Sequence, residues 1–62
     1  MAGEEKAREA IENLEGIIKD AEAAGLDTTK ARQSLKVARN FMEMGKYDKA
    51  LLHCQNAENS IE

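Results

Sequence analysis

Residues 23 to 47 read AAGLDTTKARQSLKVARNFMEMGKY, and they decide the fold because a glycine stands at each end of one amphipathic stretch. Gly25 is placed to take the left-handed backbone past the last turn of a preceding helix. Asp27 or Thr28 then offers an oxygen to cap the next helix, with Leu26 available as a staple residue. Between the glycines the apolar residues recur at intervals of three and four. Ala31, Leu35, Ala38 and Met42 make one seam, and Val37, Phe41 and Met44 a second. Together they cover a wide arc, which suits a helix touching two neighbours at once. Gly45 ends it. The spacing predicts a helix over about residues 28 to 44, with a chain reversal on either side.

Working outward, the N-terminal stretch predicts a helix over about residues 4 to 24, with Ala7, Ala10, Ile11, Leu14, Ile17, Ile18, Ala21 and Ala24 on one arc. Glu4 and Glu5 fall in its first turn, where the macrodipole favours negative charge. Gly16 falls on the opposite, polar face. The C-terminal stretch predicts a third helix over about residues 47 to 61, with its stripe at Tyr47, Ala50, Leu51, Cys54, Ala57 and Ile61. Short joints make successive helices antiparallel. The expected fold is all-α: one domain over residues 1–62, an antiparallel three-helix bundle running up, down, up. Leu14, Ile18, Leu35, Met42, Leu51 and Ile61 are expected to share its core, and alanines at facing positions to let the axes approach closely.

Length sets a limit on that core. A chain of 62 residues buries only about 60% of the surface its unfolded form exposes. Ordering costs about 1.5 kcal/mol per residue, close to what such a core returns. One cysteine excludes an internal disulfide, and one cysteine with one histidine cannot close a tetrahedral zinc site. Helix packing or self-association remains. No apolar run approaches the ~20 residues that span a bilayer. Met1-Ala2-Gly3 leads directly into charge without a signal-peptide pattern, and a lone thiol suits a reducing compartment, so a cytoplasmic location is expected.

With the helices placed, MGKYD (44–48) followed by ALLHCQNA (50–57) resembles the turn and second helix of a tetratricopeptide repeat. Gly45, Tyr47, Ala50 and Ala57 stand at the positions where that repeat punctuates its turn and packing face. Ala38 and Phe41 stand where its first helix carries a small residue and an aromatic. The resemblance covers about residues 31 to 62, one repeat's length, preceded by an extra helix. The size and three-helix plan are also similar to those of MIT domains, which bind short helical tails. Both likenesses imply a protein–protein interaction module.

The residue types capable of chemistry read as structure. His53 and Cys54 are adjacent, so they point about 100° apart on a helix and do not face each other as a base–nucleophile pair would. Cys54 reads as a core residue and His53 as a boundary one. Glu5, Glu9 and Glu12, with Glu15 and Glu22 further along, read as a solvated face. No phosphate-binding loop, nucleophile elbow or zinc motif is present, so no enzymatic activity, cofactor, metal or small-molecule substrate is expected.

Arg32, Lys36 and Arg39 form a basic line on the middle helix. The first helix holds seven acidic residues against three basic, so pairing between the two is the first reading. A net charge of −3 and only two aromatics argue against nucleic acid. Val37 and Met44 lie at the outer edge of the middle helix's arc, and Leu52 points away from the third helix's stripe. These are the expected partner-binding residues, with Arg32, Lys36 and Arg39 steering an acidic partner. The partner is expected to be another protein or a second copy of the chain. The alternatives are a structural homo-oligomerisation domain and a small nucleic-acid-associated protein using the basic line.

Overall fold

The computed structural model describes residues 2–61. Three helices follow one another, α1 (Ala2–Ala23), α2 (Thr29–Glu43) and α3 (Tyr47–Asn59), in a body of 36 × 16 × 15 Å. At 1.5 Å per residue α1 is about 33 Å long and spans the whole bundle, whereas α2 and α3 reach about 20 Å each.

Both reversals use the same device. After α1, the Leu26 N–H donates to the Ala21 carbonyl at 2.9 Å and the Gly25 N–H to the Glu22 carbonyl at 3.0 Å. After α2, the Lys46 N–H donates to the Phe41 carbonyl at 2.8 Å and the Gly45 N–H to the Met42 carbonyl at 3.1 Å. Each is a Schellman motif, which satisfies the last carbonyls of a helix by turning one residue left-handed. Gly25 and Gly45 supply that residue, with φ of 80° and 74°.

The start of α2 divides the capping work between two residues. Thr28 occupies the cap position, but its hydroxyl makes no capping bond. The Asp27 carboxylate accepts the Thr29 N–H instead, at 3.0 Å. That backbone bond, seconded by the Thr29 hydroxyl, holds the Asp27 carboxyl below its ordinary pKa. Thr28 is buried, and its hydroxyl donates to Glu22 on α1 at 3.2 Å. Leu26, expected to staple this joint, is instead 45% exposed.

Chain direction follows from two contacts. The ion pairs Glu22–Arg32 and Glu15–Arg39 join α1 to α2 with their order reversed, so these helices are antiparallel. A β-carbon placed on Gly3 would lie 3.7 Å from that of Tyr47, so α1 and α3 start together and run parallel. The bundle runs up, down, up.

Ala7, Leu14 and Ala21 on α1, Ala31 and Ala38 on α2, and Ala50 and Ala57 on α3 are all buried at seven-residue spacing. Four residues after each of the alanines but Ala21 comes a larger partner, Ile11, Leu35, Met42, Cys54 or Ile61, and four after Leu14 comes Ile18. This alternation of spacings four and three is the coiled-coil seam, filled here with a small residue at one position and a larger one at the next. Leu14 and Cys54 are the largest side chains buried completely.

The core departs from expectation at four places. Leu51 is only half-buried and lies outside the cluster, because the alanine-lined stripe of α3 is narrow. Ile17 is 40% exposed. Ala24 falls in the reversal rather than in α1. Finally α3 stops at Asn59: the Ser60 N–H and hydroxyl both donate to the Ala57 carbonyl, and Ile61 packs against the core from beyond the helix.

Three substitutions check this account. Gly25→Ala forces a β-carbon into the left-handed region and should cost about 1–2 kcal/mol in urea unfolding. Gly16→Ala should instead stabilise by about 1 kcal/mol, because Gly16 sits mid-helix with nothing within 4 Å of an added β-carbon. Leu35→Ala, at a buried seam position, should cost about 2–5 kcal/mol in the same assay.

Candidate interaction surface

The three flanks of α2 do different things. One meets the core through Ala31, Leu35 and Ala38. A second, about 90° around the helix, carries Arg32 and Arg39 to α1, where Arg32 pairs with Glu22 and Arg39 with Glu15 at 2.9 Å. Glu22 thus holds both Arg32 and the Thr28 hydroxyl. Lys36 makes no ion pair among the described residues.

The remaining flank faces α3 and solvent, and here Val37, Phe41 and Met44 stand at i, i+4 and i+7. Phe41 is half-buried and stacks on His53 of α3, with ring centroids 5.3 Å apart and an angle of 24° between the planes. The Lys49 ammonium lies over the same phenyl ring, 5.8 Å from its centroid, in cation–π range. Lys49 and His53 are one turn apart on α3, so Phe41 of α2 meets both and closes the groove between the two helices. Val37 and Met44 flank that closure and remain 37% and 58% exposed. Leu52 is 53% exposed and lies one position from His53, about 100° around α3, on the outermost line of that helix.

The six residues expected to bind a partner therefore occupy different places. Val37 and Met44 border the α2–α3 groove, and Leu52 stands on the shoulder beyond it. Arg32 and Arg39 lie about 140° around α2 from Val37 and Met44, committed to α1. The aromatic–histidine–lysine stack that closes the groove was not foreseen. A helical wheel gives the direction of His53 but not the residue it meets, although Lys49 and His53 at i, i+4 mark the line that α3 turns towards α2.

Elsewhere, a shallow open hollow of about 450 Å³ lies where α1 starts beside the second reversal, lined by Gly3, Gly45, Lys46, Tyr47, Asp48 and Lys49. Among the described residues no three of His, Cys, Asp and Glu gather as metal ligands, and no helix is long and apolar enough to cross a membrane. No protein-family model, curated protein or solved structure matches this chain.

Cys54 lies in the core, not on this surface. Burial pushes its thiol pKa up, and Glu58 one turn along adds to the shift. Nucleophilic cysteines have the opposite surroundings, positive and partly exposed. Native protein should therefore react slowly with a thiol reagent and rapidly once denaturant is added. The sign of the pH effect follows from linkage: the fold keeps the thiol protonated to higher pH than the unfolded chain does. Its contribution is complete below the ordinary thiol range near pH ~8.5 and falls away as pH rises through the raised value. A urea series across that range, with Cys54→Ala as the control that removes the effect, measures it.

Proposed function

We propose that this chain is a non-enzymatic helical interaction module that binds protein through the outer face of α2 and α3. The observation that supports this most is the exposure of Val37, Met44 and Leu52 around the Phe41–His53 stack. Exposed apolar residues scattered singly are ordinary, but here Val37 and Met44 border one groove with Leu52 beside it. The groove-bordering residues on α2 are spaced at i, i+4 and i+7, the spacing that a docking helix reads, and methionine adapts to an incoming surface. The likeness of residues 31 to 62 to a single tetratricopeptide repeat points the same way, since it covers the α2–α3 hairpin that forms this face. Arg32 and Arg39 are assigned to register rather than to steering, which leaves Lys30, Lys36 and Lys49 as the lysines of α2 and α3 available to an acidic partner.

The experiment uses Val37→Glu and Met44→Glu, each first checked for wild-type helical circular dichroism. Both positions are exposed, so the fold should survive. Wild-type protein should recover a defined set of proteins from native lysate, and both variants should lose it. Recovery of the same set by both variants would show that this face is not the interface.

A further inference from the structure

We infer that the occupant of the α2–α3 outer face is a second copy of this chain, the two hairpins docking face to face with each α1 on the outside. The inference rests on the reading above that this face binds protein.

The first ground is the core. Among the described residues, six of the eleven buried apolar ones are alanine, and only Ile11, Leu14, Ile18 and Leu35 are large aliphatics. A chain of 62 residues with one cysteine has no internal disulfide to add, and small domains with thin cores are commonly completed by association. A second copy is the one partner present whenever the chain folds.

The second ground is charge. The chain carries 12 acidic residues and a net charge of −3, so two copies repel through most of their surfaces. The acids concentrate on α1, with Glu43 and Glu58 turned to its side of α2 and α3. The α2–α3 outer face carries Lys30 and Lys49, with Lys36 on its α2 rim and Asp48 on its α3 rim, one turn from Leu52. Its other polar residues, among them Gln33, Asn40, Asn56 and Asn59, are neutral. Charge depletion around Met and aromatic residues is the composition of interface centres. A set holding both lysines and an aspartate can also complement itself across a two-fold axis, as an isologous contact requires.

The third ground is area. The surface totals 4352 Å² over three helices. A standard specific interface takes about 800 Å² from each partner, under a fifth of that surface, and one two-helix face of three offers roughly a third of it.

The test is sedimentation equilibrium of the full chain from low-micromolar to near-millimolar concentration. Wild-type mass should rise from 6.9 kDa towards twice that value, and the melting temperature should rise with concentration. Val37→Glu and Leu52→Glu should remain at 6.9 kDa with unchanged helical circular dichroism. Leu52→Ser serves in the same way if the charge disturbs folding. A wild-type chain that stays at 6.9 kDa throughout overturns the inference. So does association that both variants retain. A monomeric wild type that still loses captured proteins on Val37→Glu overturns the second copy while leaving the interaction reading intact. Variants unaffected in both assays overturn the two together.

Discussion

Close approach of three helices over alanine is the constraint on which the rest of this structure depends. Ala7 and Ala21, Ala31 and Ala38, Ala50 and Ala57 sit completely or almost completely buried on the three facing seams. A methyl group at each contact brings helix axes towards the short end of the usual 8–10 Å range. It also returns little apolar area, at about 25 cal/mol per Å². Stability must then come from fit, through the few larger residues that fill the spaces between alanines. Leu14 shows this most clearly, standing where the neighbouring seam positions hold alanine and buried completely. The glycine reversals serve the same end, since a loose joint would let the seams slide apart.

A seam that repeats every seven residues has a weakness: sliding one helix by a heptad leaves much of the pattern intact. Three features oppose this. Leu14 interrupts the alanine run of α1, so a slid partner meets the wrong volume. The paired ladder Glu22–Arg32 and Glu15–Arg39 is fully matched in only one register; a heptad slip leaves one carboxylate and one guanidinium alone. The Thr28 hydroxyl, buried and held by Glu22, ties the first reversal to the same register. The ion pairs are about half exposed and each is worth under about 1 kcal/mol. Their effect is on which arrangement forms more than on how strongly it holds.

Most of this architecture was legible in the sequence because its signals are local or periodic. Gly25 and Gly45 mark the reversals, since few other residues accept a positive φ. The seams of α1 and α2 follow from spacing, and the charge pattern places Arg32 and Arg39 of the basic line beside the carboxylates of α1, where they pair. What escaped depends on distances between elements. Thr28 is a standard capping residue, and nothing within the joint says that its hydroxyl turns to Glu22 instead. Leu51 belongs to the apolar stripe of α3 by spacing, but its depth depends on how tightly alanines draw the neighbours in. The candidate surface divides in the same way. The exposure of Val37, Met44 and Leu52 follows from their position at or beyond the edge of an arc, whereas the stacking of Phe41 on His53 is a tertiary fact. The separation of Arg32 and Arg39 from Val37 could have been drawn from the wheel alone, at about 140°.

Phe41 explains why fold and surface cannot be assigned to separate residues here. Its ring closes the α2–α3 groove against His53 and Lys49, and one side of it packs on the core cluster. The same residue therefore supports the hairpin and floors the space between Val37 and Met44. Truncating it would remove packing and surface together, and a lost contact could not be told from a lost fold. Val37, Met44 and Leu52 differ, because each leaves more than a third of its surface in solvent. A polar substitution there changes what the face offers while leaving the alanine seams untouched. The separation is physical: alanines and a few larger residues fill the buried seams, and Val37, Met44 and Leu52 lie outside them. In so short a chain, a tightly drawn core and a partly apolar exterior are two results of the same packing.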